Sequence, residues 1–153
     1  MEVKILMVCL GNICRSPMAE GILRNKAKDH GLNIFVDSAG TGGWHAGEHP
    51  DMRAAQTAKK FGVDISKQIA RRFSEKDFDE FDFIFVMDHS NLRDVLAHAR
   101  NVNDANKVKL LLDLDEPGSN REVPDPWYGE DDGFTAVFKM MDKACDAFIK
   151  SLS

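Results

Sequence analysis

The chain has 153 residues, of which 43% are hydrophobic and 29% are charged, and its net charge is −5. This length and composition are typical of one folded domain, so we expect a single domain over residues 1–153. The acidic balance lacks the basic surface with which proteins bind nucleic acids and anionic membranes, and we therefore expect neither as a partner.

Cysteine usage indicates a reducing compartment. The three cysteines are Cys9, Cys14 and Cys145, and a small odd number argues against a disulfide framework. The apolar stretch over residues 5–10 is too short for a membrane span and lacks the flanks of a signal peptide. We therefore expect a cytoplasmic protein in which this stretch forms a buried strand.

Alternating apolar runs and helical signals predict the fold class. Four short apolar runs have the length and the flanking turn residues of β-strands. These runs are residues 3–8, 34–37, 83–87 and 108–112. Helical signals follow each run, over residues 16–31, 51–61, 90–99 and 134–152. The pattern predicts an α/β fold with a four-stranded parallel sheet that is flanked by helices on both faces.

The residues that follow the first strand have the features of a phosphate-binding loop. They read Val-Cys-Leu-Gly-Asn-Ile-Cys-Arg-Ser-Pro over residues 8–17, between the first strand and the first helix, and we call them the cysteine loop. Backbone N–H groups at the start of a helix can converge on an anion. Gly11 and Asn12 tolerate the positive φ that a tightly curved loop needs.

Cys9 and Arg15 have the spacing of a nucleophile and a phosphate clamp. Five residues separate them, so a curved loop can place the guanidinium beside the thiol. The helix dipole, the loop amides and Arg15 would favour the thiolate form of Cys9, which can attack phosphorus. The amides and the guanidinium would then hold the phosphoryl oxygens. The alternative, a buried strand-end cysteine and a surface arginine, explains each residue alone but not their combination.

A thiolate phosphatase also needs an acid for the leaving oxygen and a base for the attacking water. Asp125 is the candidate for both tasks, because Pro124 and Pro126 restrict its backbone in a loop after the fourth strand. Trp127 and Tyr128 follow it and could grip an aryl ring. The alternative is a simple turn in which Asp125 bonds its own backbone.

Polar residues also follow the second and third predicted strands. Ser38 comes directly after one of them and Asp88 after the other. Because the carboxyl ends of parallel strands meet at one edge of a sheet, these residues should converge with the cysteine loop and with Asp125. Asp88 is equally well interpreted as the N-cap of the helix that follows it.

With these residues in place, the chain resembles the low-molecular-weight protein tyrosine phosphatase family over nearly its whole length. Four segments occur in the order of the family. They are the cysteine loop, residues 38–41 with Trp-His at 44–45, residues 87–92, and Asp-Pro-Trp-Tyr at 125–128. The resemblance implies hydrolysis of phosphotyrosine in protein substrates through a cysteinyl-phosphate intermediate, with no metal or other cofactor. We expect the enzyme to be a monomer.

The resemblance also implies a role for each matching residue. The catalytic residues would be Cys9 as nucleophile, Arg15 as phosphate clamp and Asp125 as general acid and base. Ser16 would hydrogen-bond the thiolate, and Asp88 would support the site. The loop residues predicted to bind phosphate or substrate are Leu10, Gly11, Asn12, Ile13, Cys14 and Ser16. The residues predicted to wall the slot for the tyrosine ring are Leu10, Trp44, Trp127 and Tyr128.

Asn12 would hold the cysteine loop through hydrogen bonds to Ser16 and Ser38. Many relatives carry a histidine where this chain has Gln68, so the resemblance does not predict that an imidazole supports Asn12 here.

Three other functions use similar residues. Arginine phosphatases share the scaffold, but by resemblance that branch has a threonine at the position of Ile13. The hydrocarbon side chain of Ile13 suits packing against an aryl ring better than a hydroxyl does. Arsenate reductases need further cysteines near the third strand, and residues 81–100 contain none. A module that binds phosphate without cleaving it would lack the nucleophile or the acid, and this chain has a candidate for each.

Overall fold

The computed structural model describes residues 2–126 and 131–152. Within these residues, four parallel strands form a sheet in the order β2–β1–β3–β4. The strands are β1 (Val3–Cys9), β2 (Ile34–Gly40), β3 (Phe83–Val86) and β4 (Val108–Leu110). The chain therefore moves from β1 to one side and then returns to the other. Such a reversal opens a crevice at the carboxyl ends of the inner strands.

Helices cover both faces of this sheet. In the described ranges they are α1 (Arg15–Asp29), α2 (Met52–Lys60), α3 (Lys76–Glu80), α4 (His89–Leu96), α5 (Val102–Asn106) and α6 (Asp131–Ser151). Side chains of α1, α2 and α6 share a core with Ile5 and Met7, whereas α3 and α4 pack with Leu6 and Val8. Alternate residues of β1 thus enter opposite cores, which explains its continuous apolar sequence. The predicted fold class is confirmed.

The ends of two strands differ from the prediction by more than one residue. β2 continues to Gly40, beyond the predicted end at residue 37, because its parallel pairing with β1 continues until Cys9 lies opposite Gly40. β4 stops at Leu110, and the following leucines form a 3₁₀ helix (Leu111–Leu114). No periodicity predicts α3 or α5, since each has five residues and spans little more than one helical turn.

The start of each helix near the crevice is fixed by local chemistry. α1 begins at Arg15 with Pro17 in its first turn, where a missing N–H costs nothing. Asp51 caps α2 by accepting a hydrogen bond from the Arg53 N–H at 2.8 Å. The Asp51 N–H itself donates to the Ile13 carbonyl at 2.8 Å, which ties α2 to the cysteine loop. None of the described helices combines the length and the apolarity needed to cross a membrane.

Candidate active site

The cysteine loop encloses a cavity of about 170 Å³ at the carboxyl end of β1. Its described lining residues are Cys9, Leu10, Gly11, Ile13, Cys14, Arg15, Trp44, His45 and Asp125. Asn12 has a φ of +57° and turns the loop through the left-handed region, as its residue type predicts. We call Cys9 and Arg15, together with the buried Asn12 and Ser16 next to them in the loop, the floor of the cavity, and Leu10, Trp44, His45 and Asp125 its rim.

Hydrogen bonds on the floor orient the hydroxyl of Ser16 toward Cys9. The Arg71 N–H donates to Asn12 Oδ1 at 3.0 Å, so the amide nitrogen of Asn12 must face the other way. That nitrogen donates to Ser16 Oγ at 2.8 Å and to Ser38 Oγ at 2.9 Å. Ser16 Oγ lies 3.0 Å from Cys9 Sγ. Because Ser16 already accepts from Asn12, its own proton is free for the sulfur, where it can stabilise a thiolate.

Glu20 completes this network, although its position in the sequence carried no functional prediction. Ser38 Oγ donates to Glu20 Oε1 at 2.6 Å, and Arg24 Nη2 donates to Glu20 Oε2 at 2.5 Å. Ser38 therefore keeps its lone pairs for Asn12. Burial raises the pKa of the Glu20 carboxyl, although the bonds from Ser38 and Arg24 act in the opposite direction. The only sequence signal was a carboxylate beside the apolar stripe of α1.

Arg15 is held on the opposite side of the floor. Its Nη1 donates to Asp88 Oδ2 at 2.7 Å and to the Val123 carbonyl at 2.9 Å. Burial alone lowers the pKa of Arg15, but the neighbouring Cys9 and Asp88 more than offset this, and its pKa lies above the usual range. The guanidinium is therefore charged at every physiological pH.

Asp88 fills both of the roles that the sequence left open. Its Oδ1 accepts from the Asn91 N–H at 2.8 Å and caps α4, while its Oδ2 binds Arg15. The Val123 N–H donates to the Met87 carbonyl at 2.8 Å. The end of β3 thus anchors Arg15 and also the segment that leads to Asp125.

The rim is far more exposed than the floor. Trp44 is 72% exposed and Leu10 is 41% exposed. The Asp125 side chain is 35% exposed, and its Oδ2 lies 3.7 Å from Arg15 Nη2. His45, which the sequence prediction did not include in the site, has its Nδ1 3.0 Å from Glu48 Oε2. The predicted wall residues Trp127 and Tyr128 lie outside the described residues.

The three cysteines have different surroundings. Cys14 lines the cavity but is buried, and burial together with the Asp51 carboxylate raises the pKa of its thiol. Cys145 is fully buried in α6, and burial raises the pKa of its thiol as well. Both therefore stay protonated at neutral pH, whereas the Cys9 sulfur has the Ser16 hydroxyl as a hydrogen-bond partner. In the described part of the chain, no group of three or more His, Cys, Asp or Glu residues is placed to hold a metal ion.

Known proteins match this chain from end to end. The family model described as low molecular weight phosphotyrosine protein phosphatase matches residues 4–153. The chain belongs to this family. The low molecular weight phosphotyrosine protein phosphatase of Schizosaccharomyces pombe is 42% identical over 155 residues, covering 99% of this chain and 98% of the relative. The resemblance drawn from the sequence is confirmed, and the chain is a phosphatase enzyme of this family.

Solved structures agree with this membership. The protein tyrosine phosphatase from Entamoeba histolytica has a TM-score of 0.91 and 36% identity, covering 98% of this chain and 96% of the other. A Drosophila arginine phosphatase has a TM-score of 0.91 and 33% identity, covering 99% and 98%. The scaffold of this chain is therefore shared by phosphatases that are named for two different substrates.

Proposed function

We propose that residues 1–153 form one cytoplasmic phosphatase domain that hydrolyses phosphotyrosine in protein substrates through a cysteinyl-phosphate on Cys9. The observation that carries the proposal is the floor of the cavity. There, the sulfur of Cys9 meets the Ser16 hydroxyl at 3.0 Å, and the charged Arg15 is fixed by two hydrogen bonds. This arrangement supplies a nucleophile and a clamp for phosphoryl oxygens within one short loop.

In the first step, the thiolate of Cys9 attacks phosphorus, and the bond between phosphorus and the phenolic oxygen breaks. Arg15 and the amides of the cysteine loop stabilise the equatorial oxygens of the transition state. Protonated Asp125 gives its proton to the phenolic oxygen, so that tyrosine leaves as the neutral phenol. The position of Asp125 on the rim, near Arg15 but on the solvent side, fits a group that meets the leaving oxygen.

In the second step, water attacks the cysteinyl-phosphate, and the sulfur–phosphorus bond breaks. Asp125, now a carboxylate, takes the proton from this water. Cys9 leaves as a thiolate, which the hydroxyl of Ser16 stabilises by its hydrogen bond. Inorganic phosphate is released, and the enzyme is then in its starting state, because Asp125 carries the proton that it took from the water and Cys9 is a thiolate again.

The walls of the cavity favour an aryl leaving group. Ile13 is 6% exposed, lines the cavity and presents only hydrocarbon to it. Leu10 and Trp44 add apolar surface on the rim, and flat aromatic substrates pack well against such groups. The likeness to the Drosophila arginine phosphatase makes phosphoarginine the second candidate substrate.

Hydrolysis of p-nitrophenyl phosphate in the presence of a chelator tests the proposal. We expect metal-independent turnover that Cys9→Ser lowers by about 10⁴-fold or more, because the hydroxyl is a much weaker nucleophile. Cys145→Ser is the matched control, since its thiol is buried in α6, away from the cavity. Turnover that does not depend on Cys9 would refute the mechanism. Faster release of phosphate from a phosphoarginine peptide than from a phosphotyrosine peptide would show that phosphoarginine is the preferred substrate.

A further inference from the structure

Trp44 combines high exposure with a defined place in the cavity wall. Its side chain is 72% exposed, yet it lines the same cavity as Cys9 and Arg15. An exposed side chain ordinarily samples several rotamers, and ordering it on substrate binding costs free energy. A fixed place for this ring before substrate arrives therefore needs a contact that holds it.

The contact is the backbone of Gly42. A Cβ atom added to Gly42 would overlap with the ring carbons Cε3, Cζ3 and Cη2 of Trp44, so the indole lies directly on the Cα of this glycine. The φ of Gly42 is outside the left-handed region. The backbone conformation therefore does not require a glycine at this position, but the close approach of the ring does.

Gly42 is also fixed relative to the nucleophile. Its N–H donates to the Leu10 carbonyl at 2.9 Å, and the N–H of the preceding Thr41 donates to the Cys9 carbonyl at 2.9 Å. Two backbone hydrogen bonds thus join the segment that carries the ring to the residues that begin the cysteine loop. The position of the indole relative to the cysteine loop is therefore set by its contact with the hydrogen-bonded main chain of Gly42.

We propose that Gly42 is a specificity-determining positioning residue whose bare Cα holds the Trp44 indole against the cavity mouth and thereby selects ligands that carry an aryl group. The inference deepens the proposed function and rests on it, because it takes Trp44 as the wall that contacts the leaving group. Gly42 itself touches neither substrate nor the reacting atoms. Its effect passes through the position of the ring.

Gly42→Ala should fold, because Trp44 is exposed and can swing away from the added methyl group. Gly43→Ala is the matched control. Its Cβ would lie 3.4 Å from Cδ of Arg72, which is an ordinary van der Waals contact. The φ of Gly43, like that of Gly42, is outside the left-handed region, so both substitutions remove the same conformational freedom from the unfolded chain.

Calorimetric binding of two ligands separates the ring from the phosphate site. Benzylphosphonate carries an aryl group, whereas inorganic phosphate reaches only the floor. We expect Gly42→Ala to raise the Kd of benzylphosphonate by about 3- to 10-fold, as for the loss of one aromatic contact. The Kd of phosphate should change less than twofold, and Gly43→Ala should change neither. Equal effects of Gly42→Ala on both ligands, or equal effects of the two alanine variants on benzylphosphonate, would overturn the inference.

A double substitution tests whether Gly42 acts through the ring. In a Trp44→Ala background, Gly42→Ala should no longer change the Kd of benzylphosphonate, since no indole is left to displace. A persistent effect would overturn the positioning role. In a Trp127→Phe background, Trp44 is the remaining tryptophan, and its fluorescence anisotropy should fall on Gly42→Ala but not on Gly43→Ala. These readouts do not use catalysis, so inactivity of the wild type toward aryl phosphates would refute the proposed function without deciding this inference.

Discussion

The floor and the rim of the cavity are built in opposite ways. On the floor, Asn12 and Arg15 are each 2% exposed and Ser16 is fully buried, and every one of them has hydrogen-bond partners from other parts of the loop or fold. On the rim, Trp44 is 72% exposed. The phosphoryl group is the same in every substrate and needs fixed donors, whereas the rest of the substrate varies. The comparison indicates that the groups that hold the phosphoryl group are fixed by burial, whereas Asp125 and the side chains that would meet the rest of the substrate lie nearer the surface.

The two regions should also differ in how they respond to mutation. A buried polar group that loses its partner costs about 1–3 kcal/mol, so changes on the floor should lower stability and activity together. Substitution of an exposed group changes the free energy of unfolding little, so changes on the rim should alter catalysis or substrate discrimination with little effect on the fold. The predictions below test this division, from the largest expected effect to the smallest.

Among the substitutions Arg15→Lys, Asp125→Asn and Glu20→Gln, Arg15→Lys should have the largest effect. Lysine cannot reproduce the two bonds of Nη1 to Asp88 and Val123 while also presenting a fork to the phosphoryl oxygens. We expect kcat for p-nitrophenyl phosphate to fall by about 10²–10³-fold and the melting temperature to fall as well. Arg93→Lys on the exposed surface of α4 is the control, and it should change neither quantity. Full activity of Arg15→Lys would show that the floor does not require a bidentate clamp.

Asp125→Asn should lower activity without lowering stability, because the side chain lies on the rim. The loss should depend on the leaving group. We expect about a 10²-fold lower kcat for phenyl phosphate, whose oxygen needs a proton, and a smaller loss for p-nitrophenyl phosphate, which leaves readily as the anion. Steady-state kinetics on both esters, with Asp94→Asn of α4 as control, give the measurement. The same loss for both esters would argue against proton donation by Asp125.

Glu20→Gln should change the pH dependence of stability. In the unfolded chain the pKa of the Glu20 carboxyl is about 4.3, and burial raises this pKa in the folded protein. The folded state thus binds this proton more tightly, so the contribution of Glu20 to stability is most favourable below about pH 4.3 and declines as the pH rises through the folded pKa.

Urea unfolding of wild type and Glu20→Gln at about pH 4 and about pH 7 measures this effect. We expect the free energy of unfolding of the wild type, relative to the variant, to fall as the pH rises. An unchanged or rising difference would contradict the raised pKa. Glu48→Gln, an exposed carboxylate of the loop after β2, serves as the control.

Contiguous features could be predicted from the sequence because neighbouring residues determine them. β1 was predicted within one residue of its observed end, since alternate side chains enter two cores. The cysteine loop has its turn residues, nucleophile and clamp within ten positions, so its function could be predicted without knowledge of the tertiary structure. The carboxyl ends of parallel strands lie at one edge of a sheet, and the convergence of Ser38, Asp88 and Asp125 was predicted from this rule.

The tertiary structure alone decided which distant residues support that loop. Arg71 is 59 positions from Asn12 and fixes its amide through a backbone N–H, a group that every residue except proline carries. Glu20 binds Ser38 across 18 positions, and Gly42 supports Trp44 by lacking a side chain. A local pattern records which groups a segment carries, but hydrogen-bond partners and close contacts depend on how helices and strands pack, and packing is a property of the whole chain.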